Sequence, residues 1–245
     1  MKFSNVYEDK KRAEEYSTLE FPGTYYLAYR DLPKIIRSHA KGNSAIDFGC
    51  GTGRSTRFLR SLGFHVIGID ISKEMVRLAK EKDPTGDYRL IINDDLSIFP
   101  KNSYDLVLSV FTFDNIPTKM KKVDLFGNLG NLLNTNGRMI NLVSSPEIYT
   151  HEWASFSTND FPKNHTAKSG DIVRIIQTDI DDKRPVEDIL WTNASYLETF
   201  QNAGLTVEKT YKPLAKKQEP YPWINETQIA PWVIYILKKR KKRPK

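Results

Sequence analysis

The stretch SAIDFGCGTGRSTRFLRSL, residues 44–62, decides the fold of this chain. It opens with the short apolar run Ser44 to Phe48, which contains one acid, and continues directly into the turn GCGTG at 49–53. Apolar residues then recur at helical spacing as far as Leu62, so a strand, a glycine-rich turn and a helix are predicted. Glycines allow a sharp turn and the close approach of a ligand. The free N–H groups of the first helical turn point towards such a ligand.

The following strand supports a nucleotide-like ligand at this turn. Residues 64–69 are largely apolar and are followed by Asp70. An acid about 20 residues after the first glycine receives ribose hydroxyls in dinucleotide-binding folds. A glycine turn alone is a weak signal, but the turn together with Asp70 predicts a cofactor site.

Two motifs, AIDFGCGTGRSTRFL at 45–59 and VIGIDIS at 66–72, resemble the class I S-adenosylmethionine-dependent methyltransferases. The turn differs from the dehydrogenase pattern G-x-G-x-x-G because its third glycine comes one residue early and Asp47 precedes the first glycine. The resemblance implies an α/β fold with a doubly wound, seven-stranded, mostly parallel sheet of order 3-2-1-4-5-7-6, in which strand 7 is antiparallel. It also implies S-adenosylmethionine as the cofactor; a nicotinamide enzyme is the alternative.

The resemblance assigns cofactor contacts to residues of the first, second, third and fourth strand ends. These residues are Asp47, Gly49, Cys50, Gly51, Asp70, Ile71, Met75, Asp94, Asp95, Leu96 and Ser109. Asp95 matches the acid that accepts a hydrogen bond from the adenine amino group, although the adjacent Asp94 could replace it, and Leu96 supplies a backbone N–H. A polar loop that caps a short helix is the alternative. Cys50 is interpreted as structural, because small residues suit the turn.

The remaining chain alternates strands and helices, which predicts a parallel sheet. Further strands are expected at 88–92, 104–111, 138–143, 205–211 and 232–237, and further helices at 73–82, 119–133 and 193–203. Residues 145–191 interrupt the alternation and predict an inserted β-hairpin, with strands at 171–180 and 186–191. The domain organisation is therefore a lid of helices at 1–42, a methyltransferase domain at 43–237 that contains the 145–191 insert, and a tail at 238–245.

The N-terminal segment 1–42 is rich in aromatic residues, from Tyr7 and Tyr16 to Tyr29. In the resembling family this segment lies over the cofactor as a lid; a simple core face is the alternative for these aromatic residues. Arg30 is the candidate partner of the methionine carboxylate, because a guanidinium binds a carboxylate through two hydrogen bonds. Pairing with a surface acid is the alternative for Arg30.

Three further residues are candidates for acid–base chemistry. Asp114 follows the fourth strand, where many relatives that act on small molecules carry a histidine pair, and it could accept a proton or bind a cationic substrate. An N-cap for the helix that begins near Pro117 is the favoured alternative for Asp114. In the insert, His151 and His165 are candidate bases, although an isolated histidine is more often structural. No cluster of metal ligands stands out in the sequence.

Composition narrows the classes of partner. The net charge is +7, and the tail KKRKKRPK at 238–245 supplies seven of the 37 Lys and Arg residues, so the basic character belongs to the tail. The tail permits nucleic-acid binding, but a solvated end or an import signal is favoured. The N-terminus lacks the apolar middle of a signal peptide, no apolar run is long enough to span a membrane, and Cys50 is the only cysteine, so we expect a cytoplasmic protein with no membrane partner.

The sequence therefore predicts an enzyme that transfers a methyl group from S-adenosylmethionine to a small-molecule acceptor. Methylation of RNA or protein with help from the basic tail is one alternative. A non-catalytic S-adenosylmethionine-binding protein is another, because the turn and Asp70 indicate binding rather than turnover.

Overall fold

The structure is a computed structural model and describes residues 10–19 and 22–240. Its helices are α1 (Lys10–Thr18), α2 (Gly23–Arg30), α3 (Leu32–His39), α4 (Arg54–Ser61), α5 (Lys73–Lys82), α6 (Lys119–Leu132) and α7 (Asn193–Asn202). Its strands are β1 (Ser44–Phe48), β2 (His65–Asp70), β3 (Asp87–Leu90), β4 (Tyr104–Val110), β5 (Leu133–Ser144), β6 (Phe156–Ser157), β7 (Ile172–Gln177), β8 (Val186–Ile189), β9 (Leu205–Tyr211) and β10 (Trp232–Lys239).

Seven strands form the central sheet in the order β3-β2-β1-β4-β5-β10-β9. The pairs from β3 to β5 are parallel, and β10 is antiparallel to both β5 and β9. Because β10 and β9 are the seventh and sixth strands of this sheet in chain order, the predicted order 3-2-1-4-5-7-6 with an antiparallel seventh strand is confirmed.

Both faces of this sheet are buried, as the nearly continuous apolar strands require. In β4, Leu106 and Leu108 belong to one hydrophobic core, whereas Val107 between them belongs to the other. The same alternation in β10 assigns Ile234 to the first core and Tyr235 to the second. Side chains of successive strand residues point to opposite faces, so each strand contributes to both cores.

Helices α2 and α3 lie in the segment predicted as a lid. The side chain of Tyr25 in α2 packs against three rings from the rest of the chain, those of Phe111, Phe156 and Trp232, at centroid distances of 5.8, 5.0 and 5.9 Å. Helix α1 also lies in the segment predicted as a lid, while Tyr7 and the rest of residues 1–9 lie outside the described residues.

The insert contains a three-stranded sheet rather than the predicted hairpin alone. Strands β7 and β8 form the expected antiparallel pair, and the short β6 adds to the other edge of β7. Strand β6 has only two residues, which is too short for an alternating pattern to reveal in the sequence.

The predicted tail begins too early. Strand β10 continues to Lys239, whose ammonium donates hydrogen bonds to Asn102 Oδ1 at 2.7 Å and to the carbonyl of Leu133 at 2.5 Å. Lys238 forms an ion pair with Glu208 at 3.3 Å, and the backbone N–H of Arg240 donates to the carbonyl of Gly204 at 2.9 Å. The remaining part of the tail, 241–245, lies outside the described residues. Within the described part of the chain, no helix combines the length and apolar character needed to cross a bilayer.

Candidate active site

The glycine turn joins β1 to α4 at the carboxyl end of the sheet. Gly49 and Gly51 have φ angles of +72° and +52°, which disfavour residues with a Cβ. A Cβ on Gly49 would lie 2.1 Å from Thr112 Oγ1, so the glycine turn packs directly against the short 3₁₀ turn that follows β4. A Cβ on Gly51 would meet only Met75 Sδ at 4.0 Å, which leaves space beside the backbone for a ligand.

Asp70, at the end of β2, faces the same turn. Its carboxylate accepts hydrogen bonds from the backbone N–H groups of Gly51 and Ser72, both at 2.8 Å. Burial raises the pKa of Asp70, and these two N–H groups oppose that shift. Each carboxylate oxygen keeps lone-pair capacity, so Asp70 can accept hydroxyl donors from a ligand while it holds the turn.

A cavity of about 320 Å³ opens between the glycine turn, the end of β2 and the start of α6. This volume lies within the range of small-molecule and cofactor sites. The predicted cofactor residues that line the cavity are Gly49, Gly51, Asp70, Ile71, Met75 and Asp94. Ile71 is 49% exposed, so an apolar surface is available there for a ligand to cover.

Two predicted cofactor residues in or beside the turn do not line this cavity. Asp47 is fully buried, and its Oδ2 accepts hydrogen bonds from the hydroxyls of Ser55 at 2.7 Å and Thr56 at 2.6 Å. Asp47 therefore anchors the first turn of α4. Cys50 packs in a small core with Val76, and burial raises the pKa of its thiol, in keeping with a structural role.

The adjacent acids after β3 have different positions. Asp94 lines the cavity and forms an ion pair with Lys121 at 2.8 Å. Asp95 is exposed, and its carboxylate caps the backbone N–H of Ser97 at 2.9 Å. Leu96 is buried in a hydrophobic core and does not line the cavity. The structure thus favours Asp94 over Asp95 as the acid that faces a ligand.

Arg30 and Ser109 also lie outside the cavity lining. The guanidinium of Arg30 binds Asp31 and Glu219, each at 2.7 Å. Arg30 therefore pairs with acids of the protein, which was the alternative to binding the methionine carboxylate of the cofactor. Ser109 is fully buried on β4, and its hydroxyl has no hydrogen-bond partner among the described residues.

A second, smaller cavity of about 50 Å³ adjoins the first, and Phe111 and Asn115 line both. Phe111 has a φ of +63°, a left-handed conformation that is uncommon for a residue other than glycine and is often found at functional sites. The second cavity is bordered by α2, the end of β5, the insert and the start of β10.

Asp114 lines the second cavity rather than capping a helix. Helix α6 begins at Lys119, and Thr118 is its N-cap, so the favoured N-cap prediction for Asp114 is wrong. Asp114 belongs to a short 3₁₀ turn and is buried, with its carboxylate accepting from the N–H of Ser144 at 3.0 Å and the hydroxyl of Tyr196 at 3.5 Å. Burial raises its pKa to about 6, against the opposing effects of Ser144 and Lys122.

Two charged residues near Asp114 were not predicted. Lys122 is fully buried; its ammonium donates to the carbonyl of Phe113, and burial lowers its pKa to about 8. Asp188 in β8 is buried and accepts a hydrogen bond from the hydroxyl of Tyr149 at 3.0 Å. Lys122 could have been noticed, because it occupies a core-facing position three and four residues before Leu125 and Phe126.

The candidate histidines lie outside both cavity linings. His151 is half-buried, and its Nδ1 lies 3.1 Å from both Thr150 Oγ1 and the carbonyl of Glu147. His165 is exposed on a 3₁₀ turn of the insert. Within residues 10–19 and 22–240, no group of three or more His, Cys, Asp and Glu side chains is placed to hold a metal ion.

Comparison with known proteins assigns the domain type. Residues 46–141 match the methyltransferase domain family. The chain is 28% identical over 175 residues to an uncharacterized methyltransferase of Bacillus cereus, a match that covers 71% of this chain and 79% of the relative. The matched segment contains the glycine turn, Asp70 and Asp94, so the first cavity belongs to the methyltransferase domain.

Solved structures have the same fold at low sequence identity. An S-adenosylmethionine-dependent methyltransferase from Mesorhizobium loti superposes with a TM-score of 0.62 at 18% identity, covering 89% of this chain and 99% of that one. Another, from Clostridium acetobutylicum, superposes with a TM-score of 0.62 at 13% identity. The match covers 96% of this chain and 97% of the Clostridium chain. These similarities extend the shared fold well beyond residues 46–141.

Proposed function

We propose that this chain is a class I S-adenosylmethionine-dependent methyltransferase that transfers the methyl group to a small-molecule acceptor bound in the second cavity. The observation that carries this proposal is the junction of the two cavities at Phe111 and Asn115. A donor in the larger cavity and an acceptor in the smaller one would face each other across these two residues.

The first cavity fits the donor. The space beside Gly51 would receive a ligand close to the backbone, and the carboxylate of Asp70 has acceptor capacity for ribose hydroxyls. Ile71 and Met75 supply apolar contacts for a purine ring, and Asp94 supplies an acceptor for an amino group. These residues would hold and orient the donor; S-adenosylmethionine supplies a methyl group already activated on a sulfonium.

Because the methyl group is already activated, the protein has to position donor and acceptor and exclude water from the site. Alignment of two reactants contributes on the order of 7 to 11 kcal/mol to a reaction of this kind. Tyr25 and Phe156 border the second cavity from α2 and from the insert, so an acceptor bound there would contact side chains of both segments. Asp114 lines this cavity, and its pKa of about 6 suits it to hold a proton.

The size of the second cavity supports a small acceptor over a macromolecule. Its 50 Å³ are bordered by buried side chains of α2, the insert and β10, rather than by a long exposed groove. The alternative with RNA or protein as the acceptor depends on the basic tail, most of which lies outside the described residues.

The test uses methyl-labelled S-adenosylmethionine with three separate acceptor pools: small metabolites, total RNA and protein extract. We expect label transfer, with release of S-adenosylhomocysteine, in the small-metabolite pool alone. Transfer to RNA that is lost on removal of residues 238–245 would contradict the small-molecule proposal. Donor binding without transfer in any pool would instead support the non-catalytic alternative.

A further inference from the structure

Aromatic rings form much of the wall of the second cavity. Four of them, from Tyr25, Phe111, Phe156 and Trp232, line it and contact one another. The ring centroids of Phe111 and Trp232 are 4.6 Å apart, and those of Tyr25 and Phe156 are 5.0 Å apart. The faces of such rings attract cations, and sites for alkylated ammonium groups are commonly built from several of them.

The charges on the same wall have one sign. Asp114 and Asp188 line the second cavity, and both are buried. Among its described lining residues there is no Lys, Arg or His. The ammonium of Lys122 is near these acids but lies over the rings of Trp191 at 5.1 Å and Tyr196 at 5.7 Å, and it does not line the cavity. A ligand carboxylate or phosphate would therefore meet like charges here, whereas a cation would meet opposite ones.

The junction of the cavities also offers a hydrogen-bond acceptor. The side-chain oxygen of Asn115 is buried and has no hydrogen-bond partner among the described residues. A buried acceptor without a partner is unfavourable, so a ligand N–H that reaches it would gain a bond at little cost. Asn115 lines both cavities, which places this acceptor where donor and acceptor molecules would meet.

Because the wall combines aromatic rings, two carboxylates and an unpartnered carbonyl, we infer that the acceptor is an amine, bound as its ammonium form and methylated on nitrogen. This inference rests on the proposed function and names the substrate class of that same site. The rings and the carboxylates of Asp114 and Asp188 select the positive charge, and Asn115 orients the nitrogen.

The chemistry balances with the residues present. The bound ammonium first gives one proton to a carboxylate of the cavity, and the pKa of Asp114, raised by burial, suits it to accept that proton. The nitrogen lone pair then forms a bond to the methyl carbon as the carbon–sulfur bond of the donor breaks. The electron pair of that bond stays on sulfur, which leaves a neutral thioether and an N-methylated ammonium product.

Binding can be tested without turnover. Tetramethylammonium and tert-butanol have nearly the same shape and differ in charge, and their affinities can be measured by calorimetry with S-adenosylhomocysteine present at saturation. We expect tetramethylammonium to bind about tenfold or more tightly than tert-butanol, because ring and carboxylate contacts to a desolvated cation exceed about 1.4 kcal/mol. Asp114→Asn and Asp188→Asn should each abolish this preference while S-adenosylhomocysteine still binds.

The matched control is Asp179→Asn, which removes an exposed acid from the insert outside both cavity linings and should leave the preference intact. Turnover is then compared between primary or secondary alkylamines and alcohols of the same carbon skeleton, with S-adenosylhomocysteine release as the readout. Methylation of amines alone supports the inference. Equal affinity for the two probes, or methylation of alcohols alone, overturns the amine inference even if the donor binds, whereas no binding of S-adenosylhomocysteine to the wild-type chain overturns the proposed function itself.

Discussion

At the scale of single residues, two glycines of one turn have different roles. A Cβ on Gly49 would collide with the side chain of Thr112, whereas a Cβ on Gly51 would project into open space beside Met75. Both residues have positive φ, so each substitution strains the backbone by about 1 to 2 kcal/mol. Only the substitution at Gly49 adds a direct collision.

We therefore expect Gly51→Ala to remain folded, with a loss of about 1 to 2 kcal/mol in free energy of unfolding, and to lose most of its affinity for S-adenosylmethionine. Gly49→Ala should cost clearly more stability, because Thr112 must move. Urea unfolding and calorimetric titration of both variants measure these effects. Unchanged donor affinity in Gly51→Ala would show that the donor does not approach this turn.

Asp47 should make stability depend on pH. Burial raises its pKa from 3.8 to about 6, so the folded state binds the proton more tightly than the unfolded state does. The contribution of Asp47 to stability is therefore greatest below about pH 4 and is lost as the pH rises to about 6. The loss is on the order of 3 kcal/mol, from about 1.4 kcal/mol per pKa unit.

Asp47→Asn removes this titration but keeps an oxygen that can accept from Ser55 and Thr56. Relative to the wild type, the variant should gain about 3 kcal/mol of stability between pH 4 and pH 7. Titrating groups that do not interact with Asp47, such as Asp114, are common to both proteins and cancel in the difference. Urea unfolding at several pH values gives this difference, and a value that does not change with pH would contradict the raised pKa.

At the scale of elements, the loop after β3 separates two neighbouring acids. Asp94→Asn should weaken S-adenosylmethionine binding several-fold, because a neutral amide makes a weaker hydrogen bond than a carboxylate. Asp95→Asn is the matched control and should leave binding unchanged, because Asp95 is exposed and caps Ser97. Calorimetry on the two variants decides between the acids, and a reversed result would restore the assignment of the adenine contact to Asp95.

The elements also show what the sequence could predict. Strands and helices with strong periodicity, such as β4 and α5, were predicted nearly to the residue. Helix α6 begins at Lys119 as predicted, but its N-cap is Thr118 and not Asp114; both residue types suit an N-cap, and only burial of Asp114 against β5 and α7 distinguishes them. Local sequence does not contain that tertiary information.

The site was also predictable only in part, because some of its residues come together through tertiary contacts that local sequence does not show. Gly49, Gly51 and Asp70 follow directly from the spacing of one strand, one turn and the next strand, and they meet in the first cavity. Asp188 shares the second cavity with Asp114 only because β8 packs against the 3₁₀ turn that carries Asp114, and a contact between such distant segments leaves no periodic signal in the chain.

At the scale of the whole molecule, one buried carboxylate connects three segments around the second cavity. Glu226 accepts hydrogen bonds from the hydroxyl of Thr24 in α2 and from the backbone N–H of Ala154 in the insert, both at 2.7 Å. It also accepts from the N–H of Ile224 in its own loop at 2.8 Å. The lid segment, the insert and the loop before β10 are therefore held at a common point.

Glu226→Ala should lower the free energy of unfolding by about 3 kcal/mol, because several buried donors lose their acceptor. Amide hydrogen exchange should increase in residues 23–30 before it increases in the central sheet. The control Glu198→Ala removes an exposed ion pair with Lys119 and should change stability by less than about 0.5 kcal/mol. Unchanged exchange in α2 of Glu226→Ala would show that Glu226 does not hold the lid segment in place.

The roles given to all three scales require that the cavity beside Gly51 and Asp70 binds S-adenosylmethionine. Its most direct test is calorimetric titration of the wild-type chain with S-adenosylmethionine and, separately, with nicotinamide adenine dinucleotide. We expect saturable one-to-one binding of S-adenosylmethionine, which is lost in Asp70→Ala, and no binding of the dinucleotide. Binding of the dinucleotide with no heat from S-adenosylmethionine would contradict it.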